Sequence, residues 1–264
     1  MEVLRFTLKG KNAFFKKPEV NSYVYFTYGN IHKVSLLGIF GAILGYGGYA
    51  QKSPYIKSKK AAELIESYPE FYERLKDLKI AVMPSENNKN GVISKKIQSF
   101  NNSVGYASKE LGGNLIIKEQ WLENPEWEIC VLLDCEEALK IKDSICNHKC
   151  VYYPYLGKND HFADIVNISV EKINKTENDL IKVSSMVPEK NIEITDLDDD
   201  ELEDLEDAGI DAYGSFVYKE LLPVGMDGWS NKYVMEKMML TDYIVNIRGI
   251  DVYELNDHKQ VVFI

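Results

Sequence analysis

Residues 3–9, VLRFTLK, place Leu4, Phe6 and Leu8 on one side of an extended chain and Val3, Arg5 and Thr7 on the other. A period of two is the signature of a half-buried strand. Downstream, the pattern at 32–44 (HKVSLLGIFGAIL) turns helical, and residues 79–83 (KIAVM) read as a strand stopped by Pro84. Apolar runs at 115–122 and 127–134 flank the turn sequence ENPE (123–126), which predicts a hairpin between them. Residues 136–145 read as a short helix and 163–170 as another strand. Strand, helix, two strands, helix, strand is the order of a ferredoxin-like (RRM-like) unit with an antiparallel sheet. The fold class expected is α+β.

Between these elements, residues 58–78 have a helical pattern that Pro69 should kink or split. Residues 85–114 are polar, rich in Asn, Ser and Gly, and too long for a plain connection in a compact domain. Beyond residue 172 the chain reads as strand-rich: 180–187, 215–222, 233–240, 243–248, and a closing hairpin of 252–255 with 260–264. The expected organisation is an RRM-like domain at 1–172, with a thumb-like insertion near 84–114, and a β-rich C-terminal portion at 173–264. Gly38, Gly41 and Gly45 recur along one helical stripe. Because glycine weakens a helix, the stripe predicts that another backbone packs close against it. GYGGY (45–49) follows a helix instead of preceding one, so it is not a P-loop.

The apolar stretch at 34–50 is interrupted by glycines and flanked by His32, Lys33 and Lys52, so it reads as buried helix and loop, not a membrane span. The first ten residues lack the basic start and apolar core of a signal peptide, and a cytoplasmic location is expected. Four cysteines then read as reduced thiols. Cys146, His148 and Cys150 in CNHKC do not have zinc-knuckle spacing, and no metal is expected. Cys130 and Cys135 are expected to pack as small hydrophobes on and after an apolar strand.

A net charge of −10 argues against a polyanion partner until it is mapped along the chain. Residues 1–110 hold 17 Lys and Arg against 9 Asp and Glu, and the remainder 14 against 32. The run DLDDDELEDLEDAGID (196–211) alone carries ten acids and no base. Such a run reads as a solvated loop or helix, an electrostatic fence or a contact for a basic partner. In GKNAFFKKPEVNSYVYFTYGN (10–30) and just before it, Lys9, Lys11, Lys16 and Lys17 interleave with Phe14, Phe15, Tyr23, Tyr25, Phe26 and Tyr28. Lysines neutralise phosphates and rings stack bases, so the mixture suits a single-stranded nucleic acid, and equally an ordinary hairpin. In VYYPYLGKNDHFADI (151–165), Gly157 permits a conformation or close approach that a side chain forbids, with Lys158, Asn159 and His161 around it as donors. That composition suits a phosphate held on backbone amides, and taken alone also an ordinary turn between a helix and a strand.

Taken together, GKNAFFKKP behind the first strand, HKVSLLGIFGAILGYGGY (32–49), WLENPEWEICVLLD (121–134) and YPYLGKNDHFADI (153–165) resemble the Cas-five family of CRISPR-associated proteins, most closely the form found in type I-B systems. The resemblance spans about residues 1–170. It implies a RAMP-superfamily protein with a glycine-rich loop that caps the five-prime handle of the crRNA in the Cascade surveillance complex. Its implied partners are the Cascade backbone subunit, the Cascade large subunit and, through the complex, target DNA, with no membrane. Gly157, Lys158, Asn159 and His161 match the family's loop, and the segment 89–109 falls where members project a thumb. The RNA-binding residues expected are therefore Lys16, Lys17, Lys33, Lys95, Lys96, Gly157, Lys158, Asn159 and His161, with no cofactor and no catalytic residue. A type I-C relative cleaves precursor crRNA, without metal, using a tyrosine near the end of the first helix. Tyr46 occupies a similar place here, which makes an endoribonuclease the alternative, although the relative's Lys-His pair has no counterpart.

Overall fold

The computed structural model describes residues 1–19, 23–51, 68–88, 90–101, 105–106, 109–111, 114–176, 181–195 and 213–264. The acidic run at 196–211, Lys89 and the first part of the helix expected at 58–78 lie outside them. The first part of the chain holds β1 (Glu2–Lys9), β2 (Asn12–Ala13), α1 (Lys33–Leu44), α2 (Glu70–Leu75), β3 (Ile80–Pro84), β4 (Lys95–Asn101), β5 (Ile116–Glu123), β6 (Glu126–Leu132), α3 (Glu136–Cys146) and β7 (Asp164–Lys172). Beyond these come β8 (Asn174–Lys175), β9 (Val187–Pro188), β10 (Ile192–Ile194), β11 (Val217–Met226), β12 (Tyr233–Thr241), β13 (Val245–Ile247), β14 (Val252–Glu254) and β15 (Gln260–Val262).

The opening strand sits inside a four-stranded sheet in the order β3-β6-β1-β7. All its pairs are antiparallel, with Val3 opposite Leu132, Glu2 opposite Lys172 and Ile80 opposite Val131. Helix α1 lies in the crossover from β1 to β3, and α3 in that from β6 to β7. This is the ferredoxin-like β-α-β-β-α-β arrangement, so the chain is α+β, with a β-rich C-terminal portion. The period of β1 has the expected result: Leu4, Phe6 and Leu8 are buried on one face with α1 and α3, and Val3 is buried on the other.

Helix α1 is apolar around most of its circumference, burying Val34, Leu36, Leu37, Ile39, Phe40 and Ile43. One side packs on the sheet, where Phe40 meets Phe6 edge-on at 6.3 Å. Another is covered by the β11–β12 hairpin, whose Leu222, Met226, Met238 and Leu240 join the same core. The hairpin of β14 and β15 covers the opposite face of the sheet through Tyr253, Leu255 and Val261.

Two sequence expectations need correction. Strands β5 and β6 do not pair across ENPE: β5 pairs with β4 and β2, whereas both edges of β6 are taken by β1 and β3. Asn124, at φ 45°, and Pro125 redirect the chain from one sheet to the other, tied by Asn124 N to Lys11 O and Gly10 N to Pro125 O. The glycine stripe of α1 also divides into three roles, with no common backbone neighbour. A Cβ at Gly41 would lie 2.5 Å from Phe71 Cβ, Gly45 caps the helix at φ 79°, and Gly38 has open space.

The pair Gly38 and Gly41 therefore gives opposite expectations. Gly38→Ala should stabilise the protein by roughly 0.5–1 kcal/mol through helix propensity. Gly41→Ala should destabilise it by roughly 1–3 kcal/mol through overpacking against Phe71. Urea unfolding midpoints of the two variants measure both, and equal shifts would refute the assignment.

Candidate nucleic-acid interface

Residues 14–17 and 25–28 run antiparallel, through Lys17 N to Phe26 O, Tyr28 N to Phe15 O, and the bridge between Lys16 and Thr27. This irregular hairpin sorts its aromatic residues. Phe14, Phe15 and Tyr28 enter the core, whereas Tyr23 and Phe26 remain exposed. Lys16 is exposed with Nζ 3.9 Å above the Tyr25 ring, and Lys17 Nζ lies 5.3 Å from the centre of Tyr28. The β11–β12 hairpin is tied to this region by Glu220, which accepts from the Gly29 amide at 2.7 Å and from the Tyr218 hydroxyl at 2.8 Å.

The packing leaves two adjoining clefts. One, of about 360 Å³, is bordered by Phe14, Lys16, His32, Glu119, Lys158 and Tyr233, among others. The other, of about 820 Å³, is bordered by Lys16, Lys17, Tyr49, Ser230, Lys232 and Tyr233. They share Lys16 and Tyr233, so together they form one groove with cations and tyrosines along it. Lys232 escaped the sequence reading because its hairpin turn gives no hint of packing beside Lys16, more than 200 residues earlier. A basic residue in the turn between two long strands was the available signal.

The glycine loop closes on itself through the bridge of Tyr155 to Phe162, Leu156 N to His161 O at 2.7 Å, and His161 N to Lys158 O at 2.9 Å. Gly157 has φ 85°, and a Cβ there would lie 2.0 Å from Phe14 O. The close approach read from the sequence is thus made by the protein's own backbone, with Phe14 N donating to Leu156 O at 3.0 Å. Among the described residues, the amides of Gly157, Lys158, Asn159 and Asp160 find no acceptor within the chain. Four successive amides are thus left as donors that an anion could use.

The loop's side chains are engaged differently from their sequence reading. Lys158 Nζ donates to Glu119 Oε2 at 2.9 Å, inside a ring of Phe14, Phe100 and Trp121. Trp121 Nε1 donates to the same oxygen at 2.7 Å. His161 is 4% exposed and edge-on to Trp121 at 4.4 Å, so it is an inward packing residue here instead of a surface donor. Burial lowers its pKa, and its ring nitrogens have no partner among the described residues. Asn159 is exposed at the loop tip.

The remaining expected residues are dispersed. Lys95 and Lys96 stand on β4, the edge of the three-stranded sheet β2-β5-β4. Lys96 pairs with Glu123 at 3.4 Å and lies 5.9 Å from the Trp121 ring, which links it to the loop. Lys33 opens α1, half-buried and outside both clefts, and burial lowers its pKa against the nearby charge of Asp77. Cys130 is buried, its thiol pushed up to about 12 by burial, but Cys135 is exposed at the start of α3, contrary to expectation.

His32 caps α1, and its ring is walled by Phe15, Tyr28 and Tyr233. Nδ1 accepts from Ser35 N at 3.2 Å, so Nε2 carries the proton and donates to Ser35 Oγ at 2.9 Å. Burial pushes its pKa down to about 3, and the imidazole stays neutral. Tyr46, at the other end of the helix, donates its hydroxyl to Glu137, with the Arg74 guanidinium 4.2 Å from its ring centre.

On the second face of the main sheet, Arg5 and Lys259 are paired with Glu128, Glu171 and Asp257. The fold and groove therefore define a ferredoxin-like α+β protein whose cations and rings are gathered beside α1. No family model matches the sequence. No curated protein matches it either. Among solved structures, the chain is similar to one from a CRISPR RNA-guided surveillance complex, with TM-score 0.51 and 11% identity over 91% of this chain and 90% of that one. A CRISPR protein from Archaeoglobus fulgidus gives TM-score 0.47 and 11% identity, covering 99% and 98%. At such identity the first likeness is one of fold, and the second adds nothing to it.

Two measurements test the local geometry. Gly157→Ala combines a left-handed φ with a collision at Phe14 O and should destabilise the protein by roughly 2–4 kcal/mol in urea unfolding; a wild-type midpoint would refute the docking. His32 has a folded pKa below its unfolded value, so its contribution to stability is present above about pH 6.5 and is lost as pH falls. The slope should reach about 1.4 kcal/mol per pH unit between roughly pH 6 and 4, and His32→Asn should remove that component.

Proposed function

We propose that this chain is a non-catalytic guide-RNA-holding subunit of a CRISPR effector ribonucleoprotein, of the Cas-five kind and closest to its type I-B form. In this reading it caps the five-prime handle of the crRNA in Cascade, beside the backbone and large subunits, and meets target DNA only through the assembled complex. The observation that carries the reading is the groove bordered by Lys16, Lys17, Lys232, Tyr49 and Tyr233, which adjoins a cleft bordered by Gly157 and Lys158. Cations along a track neutralise phosphates, exposed rings stack bases, and neither demands a particular sequence. The ordered sequence features of residues 1–170 and the fold shared with a chain of a CRISPR RNA-guided surveillance complex support the same reading.

Binding without cleavage is favoured by the state of Tyr46. Burial and its hydrogen bond to Glu137 raise its pKa, the opposite of what a base at a 2′-hydroxyl needs. The handle is then held by charge and backbone donors, and base pairing of the guide supplies sequence specificity.

Binding of a single-stranded handle RNA, followed by anisotropy across roughly 50–200 mM salt, tests the groove. Replacing both Lys16 and Lys17 with alanine should weaken binding about ten-fold or more and reduce the salt slope by about 1.4. Unchanged affinity and slope would overturn the proposal.

A further inference from the structure

The turn that joins β11 to β12 presents an indole to solvent. Trp229 is 58% exposed, whereas Trp127 is fully buried and Trp121 is half-buried. The turn is built to hold still. Asp227 Oδ1 accepts from the amides of Trp229 at 3.0 Å and Ser230 at 2.8 Å, and Oδ2 accepts from the Lys232 amide at 3.1 Å and from the Ser230 hydroxyl. Asp227 N also donates to Lys232 O at 2.9 Å, and Asn231 N to Asp227 O at 3.0 Å. These bonds fix the backbone on both sides of the indole, so less freedom is lost when the ring meets a ligand.

The residues that follow at once, Ser230, Lys232 and Tyr233, border the larger cleft with Lys16, Lys17 and Tyr49. Trp229 thus immediately precedes the hairpin residues that border this cleft of cations. A chain of phosphates following those cations would carry its bases past the hairpin tip, where a flat apolar ring can stack on one of them. The core has no use for this side chain, since the apolar residues of β11 and β12 that seat the hairpin lie along the strands.

We propose that Trp229 is a stacking platform for one unpaired nucleobase of the RNA strand in the Lys16, Lys17 and Lys232 cleft; this rests on the functional reading above. Only one of the three tryptophans is well exposed, so its fluorescence reports contact directly. Titrating the full-length protein with single-stranded handle RNA should quench emission saturably, and Trp229→Ala should remove that quenching. The variant should bind roughly ten-fold more weakly with an unchanged salt slope, because stacking releases no counterions. Trp229→Tyr should restore most of the affinity. Circular dichroism should show all variants folded, as the residue lies outside the core.

Wild-type affinity in Trp229→Ala, alongside weakened binding in the Lys16 and Lys17 double variant, would overturn the stacking role and leave the groove intact. Normal RNA binding by Trp229→Ala with lost assembly onto other subunits would also overturn it, making the tip a protein contact. If the lysine variant also bound RNA normally, the groove reading itself would fall.

Discussion

A helix that is apolar on nearly every side has to be buried by more than one surface. Helix α1 meets this requirement with the four-stranded sheet on one side and the β11–β12 hairpin on another. The second contact determines much of the molecule. It draws the C-terminal strands into the core of the ferredoxin-like unit and sets Lys232 and Tyr233 opposite Lys16 and Lys17. His32 lies where the surfaces meet, neutral and enclosed by rings from the 14–28 hairpin and from β12. The groove is a consequence of covering a greasy helix with a long hairpin.

Charge along the sequence does not carry over simply into space: Arg5 of the basic half lies among carboxylates of the acidic half, and Lys232 of the acidic half borders the cleft with Lys16 and Lys17. A ferredoxin-like sheet of the RRM kind can bind RNA on its open face through aromatic residues. Here that face is partly covered by β14 and β15, and Arg5 lies among Glu128, Glu171 and Asp257. With three carboxylates against Arg5 and Lys259, the face disfavours phosphate. The groove beside α1 has the opposite character, so net charge says little about what the protein can bind.

Much of the architecture was legible because local periodicity dictated it. The alternation of residues 3–9, the apolar stretch of α1, the helix at Glu136–Cys146 and the strand at Asp164–Lys172 all express which faces must be buried. What failed was whatever depended on partners distant in sequence. ENPE has the composition of a hairpin turn, but the partner of each flanking strand is decided by edges formed elsewhere. The glycines of α1 share a stripe without sharing a reason. At the candidate site, Gly157 was legible as a position hostile to a side chain, while the carbonyl of Phe14 that makes it so was not. Lys158 could not be paired with Glu119 from sequence, and nothing near Lys232 pointed toward Lys16.

The engagement of Lys158 changes how the glycine loop can hold an anion. Its ammonium is neutralised by Glu119 and surrounded by three rings, so a phosphate would have to compete with a partly buried ion pair for that charge. The amides at 157–160 face no such competition and are positioned by the contact of Gly157 with Phe14. In the proposed reading, a ligand at the loop would be recognised by shape and hydrogen bonds, and one in the groove by charge. The Glu119 to Lys158 pair also fastens β5 to the loop, so the β4 and β5 pair and the loop are tied together. A strand entering from the groove would meet diffuse attraction first and geometric selection second, an order in which capture need not be selective for register to be set.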